Sequence, residues 1–498
     1  MNTQIVAFSL LIGWAVFFFF RGVWNIYFHP LAGLPGPRIA AFSSLYKAYV
    51  DVLAKSGFVR NLEIVHGQYG DIVRIGPNEV HFANPEVYHE IYNPSNRWDK
   101  EPALYHSFGE DRSSFGFLEY KDAKPRKDIL QRIFSKKAVI NVEYLVQDKV
   151  SRLCDSFVRR GDLPVNIFYA FRCMAIDVIT EICFGKSIDA IDAPNHEAPI
   201  VTAMDAALPA FNAFKYSYLY KNMILNCPPK ISKTISPLTA GLVELQELLR
   251  NQIETVTRDP EELKKMAHPT IYHELLRPEV HPNGVVPETE ELFEEAQALM
   301  VGGSETIGTT MMHGCFYLLT NPDVLQRLRI ELREAWQDLD QVPTWADLQK
   351  LPYLTAVMKE SLRISPGVAS PLPRVVPASG TVLSGKHIPG GTVVEMSSHF
   401  VHRNSAVFDR PNEFIPERWM GSESKNLDRW LVSFSRGPRS CLGLNLAWAE
   451  LYLTFGHVFR KFDFVLDPSS PKELKWRDCF LPEYTGPHLK AKAVPVKS

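Results

Sequence analysis

Apolar residues recur at the spacing of a buried helix face over residues 141–160, 166–184, 240–258, 288–320, 323–338, 353–364 and 442–460, which predicts a mostly helical chain. Strand-like alternation is confined to short pieces: Asp71 to Ile75, Glu79 to Phe82, Arg374 to Val376, Val382 to Leu383 and Val393 to Met396. A turn signal, Ile388-Pro389-Gly390-Gly391, precedes the last, and the five are expected to pair as one small side sheet. The fold class is therefore mainly α with small β-sheets, an α+β arrangement. Residues 288–320 predict a single helix of about 33 residues, stopped by Asn321-Pro322. Its middle reads Gly302-Gly303-Ser304-Glu305-Thr306, and two adjacent glycines each cost about 1 kcal/mol against alanine. Close approach of a flat ligand to the backbone would account for them.

From Ile5 to Phe20 only Ser9 and Gly13 interrupt the apolar run, and Trp24 and Tyr27 extend it as interfacial anchors. A cleavable signal would carry a basic start and a small-residue cleavage site, whereas here Arg21 follows four phenylalanines. Residues 1–28 are expected to be an uncleaved membrane anchor, 29–40 a proline-rich hinge, and 41–498 one large domain tethered by them. Arg21, Arg38, Lys47 and Lys55 follow the segment and no charged side chain precedes it, which predicts a cytosolic body.

Across 498 residues, 54 lysines and arginines meet 56 acids for a net charge of −2, so the chain lacks the basic footprint of a nucleic-acid binder. The seven cysteines are odd in number, scattered, and without a C-x-x-C pair, as expected for free thiols in a reducing compartment. No nucleotide-binding glycine loop, zincin motif or nucleophile elbow occurs.

The most informative stretch is Phe434-Ser435-Arg436-Gly437-Pro438-Arg439-Ser440-Cys441-Leu442-Gly443, followed directly by an amphipathic helix. Cys441 at a helix N-terminus favours thiolate, a soft metal ligand. One cysteine completes neither a zinc nor an iron–sulfur site, whereas a porphyrin brings four ligands in one plane. Gly437-Pro438 would bring backbone near such a ring, Phe434 pack beside the sulfur, and Arg439 pair a propionate. Glu360 and Arg363 share a helix face, and Arg418 in Pro416-Glu417-Arg418-Trp419 would close a buried structural triad with them. Glu305 and Thr306 set an acid beside a hydroxyl, and Thr306 is placed to bond the carbonyl four residues back or to hold a water.

Together, the Phe434 to Gly443 stretch, the Glu360/Arg363 pair, the PERW segment and the GGSET helix resemble a microsomal cytochrome P450, in order and spacing along nearly the whole chain. The FHPLAGLPGPR hinge and Leu372-Pro373-Arg374-Val375-Val376-Pro377 are similar to fungal members, of the trichodiene oxygenase kind, that oxidise secondary metabolites such as terpenoids. The resemblance implies a P450-like prism with a single N-terminal transmembrane helix in the endoplasmic reticulum membrane, its catalytic domain facing the cytosol. It implies haem b ligated by Cys441 and seated among Phe434, Gly443, Gly302 and Gly303. Arg439, Arg374 and the Arg126/Lys127 stretch would meet its propionates. It further implies O2 activated beside Thr306, protons delivered with help from Glu305, and two electrons from an NADPH-cytochrome P450 reductase. Alcohol formation on a lipophilic small molecule is the expected result.

Two departures stand out: Gly302 replaces a more usual alanine, and Ala123 stands where many relatives have a basic or aromatic propionate partner, with Pro125 interrupting that helix start. Substrate is expected to meet residues 95–120, 206–225 and 367–372. The reductase is expected on Arg126, Lys127, Lys136, Lys137 and Arg436. The competing readings are a reductase-independent haem-thiolate isomerase or dehydratase, and a haem-based sensor or carrier.

Overall fold

The helix Ile167–Phe184 is apolar on every face, and in the computed structural model every one of its residues except Glu181 is buried. The structure describes residues 3–496 apart from 229, 232–233, 235–239, 260, 262, 264 and 423. In chain order the N-terminal half holds α1 (Thr3–Tyr27), α2 (Tyr120–Ile133), α3 (Glu143–Arg160), that central helix as α4, α5 (Pro199–Tyr216) and α6 (Ala240–Arg258), and of these α3 and α5 pack against α4. The C-terminal half adds α7 (Thr289–Thr320), α8 (Pro322–Ala335), α9 (Pro352–Ile364) and α10 (Leu444–Lys461). Each helix expected from the periodicity is present within a few residues of its predicted ends.

The 32-residue helix α7 crosses the molecule, packed along α4 on one side and toward α9 and α10 on another. Gly308 makes the α4 contact possible: a Cβ there would lie 2.5 Å from Arg172 Cγ and 3.0 Å from its Cα, which is backbone and cannot yield. In α2 the chain runs helically through Pro125 from a start at Tyr120, so the interruption expected at Pro125 does not occur.

Four of the five expected strands join one sheet, together with an unforeseen one. Its strands are β1 (Ile72–Gly76), β2 (Glu79–Phe82), β3 (Asp99–Lys100), β4 (Arg374–Val375) and β5 (Val393–Glu395), in the order β1-β2-β5-β4-β3. β2 and β5 run parallel and the other pairs antiparallel. The fifth expected strand, Thr381–Leu383, instead pairs only with Lys386–Ile388 across a tight turn, which corrects the single-sheet expectation. Two further sheets form near the C-terminus: Lys490–Pro495 between Val165–Asn166 and Phe462–Leu466, and the hairpin Trp476–Cys479 with Leu481–Tyr484.

Among the described residues one helix is long and apolar enough to cross a membrane, Gln4–Tyr27, with a mean hydropathy of 2.0 and nearly all of it exposed. The segment after it is tied to the sheet. Arg74 N–H donates to Pro35 O at 2.7 Å and its Nη1 to Asn25 O at 2.9 Å, so the proline-rich stretch lies against β1.

Candidate active site

The stretch Phe434 to Gly443 forms a loop that backbone bonds close on themselves. Cys441 N–H donates to Phe434 O at 2.8 Å and Ser440 N–H to Gly437 O at 3.1 Å. Gly437 has φ +73°, and a Cβ there would sit 2.8 Å from Tyr92 O, so only glycine fits. Lys127, reaching from α2, donates to Pro438 O and Ser440 O, both at 2.9 Å. Cys441 precedes the first turn of α10 by three residues, with Gly443 as the N-cap, so it stands just outside the helix terminus where the sequence placed it. Burial pushes its thiol up, opposed by the Gly443 amide and the Lys127 ammonium. All seven cysteines are free, and Cys441 is the one that is exposed, opening onto an internal cavity.

That cavity is about 320 Å³, bounded by the cysteine loop and α10 on one side and by α7 on the other. Phe434, Gly443, Gly302, Gly303 and Thr306 all line it. Gly302 has nothing within 4 Å of where a Cβ would be, so its open face belongs to the cavity. Gly303 serves packing as well, since a Cβ there would meet Ile179 Cγ1 at 2.8 Å. Thr306 Oγ1 donates to Gly302 O at 2.8 Å, the bond to the carbonyl one turn back that the sequence suggested.

Four cations gather at one end of the cavity: Lys100, Lys127, Arg374 and Arg439. Lys100 and Arg374 are register partners across β3 and β4, a neighbourhood set by sheet pairing over nearly 300 residues of chain. Arg374 donates to Tyr105 Oη at 2.6 Å and to Pro373 O at 2.8 Å. Lys100 donates to Phe115 O. Arg439 donates to Leu118 O at 2.9 Å through Nη2, while its buried Nε and Nη1 have no partner. Among the described residues no carboxylate forms an ion pair with any of the four. Burial, then the neighbouring Arg439, Arg374 and Lys127, hold the Lys100 ammonium well below its ordinary range. Burial and Arg374 pull Arg439 down to about 10. Concentrated positive charge with unfilled donors is costly unless an anion meets it.

A planar dianion carrying a metal fits these walls. Its carboxylates would occupy the Arg439 donors and the Lys100–Arg374 corner, its face would lie against Gly302, and its metal would take the Cys441 sulfur. Among the described residues no group of three His, Cys, Asp or Glu side chains is placed to hold a metal ion on its own, which suits a site where the protein supplies one ligand.

Glu305, expected beside Thr306 in the cavity, is turned away from it. Its carboxylate is buried with Oε2 3.0 Å from Arg172 Nη2, and the same guanidinium donates through Nη1 to Asp205 Oδ1 at 3.0 Å. Burial pushes Glu305 up to about 7, with Arg172 opposing. Arg126 is likewise directed elsewhere: it pairs with Glu291 at 2.7 Å and Glu295 at 3.2 Å, and it is Lys127 that reaches the cavity. Of the basic face expected to receive a reductase, Arg126 is buried in that way, Lys127 is held by loop carbonyls and Arg436 is bonded to Asp428 O and Arg429 O, whereas Lys136 and Lys137 are exposed.

The Glu360, Arg363 and Arg418 triad is closed. The Glu360 carboxylate accepts from Arg363 on both oxygens at 2.8 Å, from Arg418 Nε at 3.1 Å, from Trp419 Nε1 at 2.8 Å and from the Ile415 N–H at 2.8 Å. Arg363 also donates to the carbonyls of His402, Pro411 and Glu413, knitting α9 to the segment that leads into the cysteine loop.

Of the three segments expected at the substrate, 95–120 and 367–372 line the cavity, whereas 206–225 does not: its Phe211 and Phe214 pack behind Phe108. Sequence reasoning missed Lys100, Glu110, Glu450 and Phe480, all in the cavity wall. Phe480 carries φ +73° at the tip of the C-terminal hairpin, pinned by Ala369 N–H donating to its carbonyl and its own N–H donating to Ser370 Oγ. Its one legible signal was an aromatic residue within a turn.

The family model for cytochrome P450 matches residues 37–486. The chain is 31% identical to cytochrome P450 monooxygenase flvC of Aspergillus flavus over 99% of its own length and 97% of that protein's. It is 33% identical to cytochrome P450 monooxygenase macH of Penicillium terrestre, over 95% and 94% of the two chains. Against conidiogenone synthase PchP450 of Penicillium rubens the identity is 34%, over 91% and 92%. End-to-end likeness of this kind agrees with the one exposed thiol on the cavity and the unpaired cations that share it, and the chain belongs to the cytochrome P450 family as an enzyme of the monooxygenase type.

Proposed function

We propose that this enzyme inserts one oxygen atom of O2 into a C–H bond of a small lipophilic molecule, a terpenoid or other fungal secondary metabolite, with electrons from an NADPH-dependent reductase. The observation that supports this reading most is that Thr306 presents its hydroxyl in the cavity wall across from Cys441, with Glu305 next to it in the chain. Haem b, when bound, supplies the iron that activates O2, its thiolate ligand favouring O–O cleavage.

The chain's own residues do the rest. Cys441 provides the ligand, and Arg439, Arg374, Lys100 and Lys127 hold and orient the propionates. Thr306 Oγ1, anchored on Gly302 O, holds a water in the groove that the two glycines leave open. Glu305, close to neutral pH in its proton affinity, holds a proton at its carboxyl. Arg172 joins it to Asp205, which is partly exposed, so a rotation of Glu305 from Arg172 toward Thr306 carries protons inward. The apolar wall of Phe108, Phe115, Phe480 and Val301 excludes bulk water and receives the substrate. The helix α1 anchors the enzyme in the endoplasmic reticulum membrane with its body in the cytosol, where lipophilic substrate partitions from the bilayer.

A reconstitution with reductase, NADPH and O2 tests the reading. Product carrying one atom of labelled oxygen, absent without reductase, is expected. Turnover without electrons would favour the isomerase or dehydratase reading instead.

A further inference from the structure

Resting on that reading, one residue identifies the class of substrate. Glu110 sits in the cavity wall on the side of α7, among Phe108, Phe115, Phe480 and Val301, and its side chain is buried. Its Oε1 accepts from Gln297 Nε2 at 3.2 Å; among the described residues no hydrogen bond or ion pair reaches Oε2. Each acidic neighbour has a cationic side chain beside it. Glu294 accepts from Arg112 Nε at 3.1 Å, Glu295 from Ser114 Oγ at 2.6 Å and Arg126 at 3.2 Å, and Asp111 faces His106 and Lys221. Glu110 is the carboxyl left over in this group.

It is also held still. Ser113 donates to the Glu110 carbonyl through both N–H, at 3.0 Å, and Oγ, at 2.9 Å. The loop then doubles back so tightly that a Cβ on Gly116 would fall 1.7 Å from that carbonyl oxygen. Gln297 is fixed at both ends, donating to Phe108 O at 2.8 Å and accepting from Gln246 at 3.2 Å. A polar group fixed by its surroundings and facing an apolar chamber gives up little entropy when a ligand meets it. Leaving it unmet in the bound state would weaken binding by about 10-fold.

We propose that Glu110 is the polar anchor of the substrate, hydrogen-bonding through Oε2 to a hydroxyl or carbonyl oxygen on an otherwise apolar molecule. Burial, reinforced by Glu295, Glu294 and Asp111 and opposed by the Gln297 hydrogen bond, pushes its carboxyl up to about 8, so the proton needed to donate that bond is present at neutral pH; Lys100 is a cation of the same cavity wall that interacts with it. The substrate is then an already oxygenated lipophile rather than a bare hydrocarbon. The preceding reaction must be of a class that installs oxygen, such as a cyclisation quenched by water or an earlier hydroxylation.

Matched probes test this on the purified holoenzyme: 1-adamantanol against adamantane, and cedrol against cedrane, titrated by the shift each causes in the haem Soret band. Wild type is expected to bind each alcohol about 10-fold tighter than its hydrocarbon, although water solvates the alcohol better. Glu110→Leu should bring the preference within about 3-fold of none, and Glu110→Gln, which still donates, should keep it. The proposal is overturned if wild type ignores the hydroxyl or binds neither alcohol, or if Glu110→Leu keeps the preference. The carbon-monoxide spectrum of the same preparations separates this failure from a failure of the haem-thiolate reading: an intact band without discrimination overturns the anchor alone, and a missing band in wild type overturns both.

Discussion

Glu305 Oε2 lies 3.0 Å from Arg172 Nη2, and the two side chains are buried together between α7 and α4. A carboxyl adjacent in sequence to the cavity hydroxyl is thus on a different face of the same helix, about 100° away. Its link to the surface runs through α4.

Replacing Glu305 with Gln removes the exchangeable proton while keeping the volume. Reductase-supported product formation should fall about 100-fold with haem content unchanged. Arg172→Met should raise the Glu305 proton affinity further, since Arg172 is what opposes burial there. As a donor, Glu305 loses function when pH rises through its pKa, so the alkaline limb should lie near 7 in wild type and move upward in Arg172→Met. A limb that stays put would separate Glu305 from the proton path.

Glu110 makes a stability prediction of opposite sense to the usual carboxylate. Its folded pKa of about 8 exceeds its unfolded value of 4.5, so between these values the folded state holds a proton that the unfolded state has released. Stability must fall as pH rises across that window, by on the order of 1 kcal/mol per pH unit at most, and level off above it. Glu110→Gln removes this term. Thermal unfolding should show its advantage over wild type growing with pH up to about 8.

How much of this was legible in the sequence divides along physical lines. Helices announce themselves through local periodicity, and α7 was read to within a residue. Glu360, Arg363 and Arg418 were legible because a short-range helix pair and a compact motif carry them. Lys100 was not, because its significance arises only when β3 pairs with β4 and sets it beside Arg374. Arg126 and Lys127 are consecutive on a helix and point in different directions, one to Glu291 and Glu295 and the other to the cysteine loop. Which of the two faced the cavity depended on the rotation of α2, which charge alone does not report.

The cation cluster yields a graded test. Arg439→Leu removes two unfilled donors and Lys100→Met a single ammonium. Haem retained after gel filtration should drop by about 10-fold or more in affinity for the first and less for the second. Ala123→His should be accommodated, because Ala123 borders a second cavity of about 200 Å³ shared with Tyr120, Lys127 and Arg439. Unfolding and haem loss measured side by side would check all three.

Glycines of α7 should respond oppositely. Gly302→Ala meets nothing within 4 Å and should gain up to about 1 kcal/mol in unfolding free energy from helix propensity. Gly308→Ala drives a methyl into the Arg172 backbone and should cost about 1–3 kcal/mol, loosening the α4–α7 contact that holds Glu305.

Breaking the triad should be the most damaging change away from the cavity. Glu360→Ala leaves Arg363 and Arg418 buried without their carboxylate, a loss of about 3–5 kcal/mol that denaturant unfolding or the yield of folded protein would register. Glu360→Gln, which still accepts through its carbonyl oxygen, should lose less.

The central claim is that Cys441 is the axial ligand of a haem iron. The absorption spectrum of the reduced, carbon-monoxide-bound protein beside a Cys441→Ala variant tests it most directly, because a strongly red-shifted Soret band requires thiolate opposite the bound gas. Wild type is expected to show that band and the variant to lose it. A wild type that binds no haem, or a variant with an unchanged spectrum, would contradict the account.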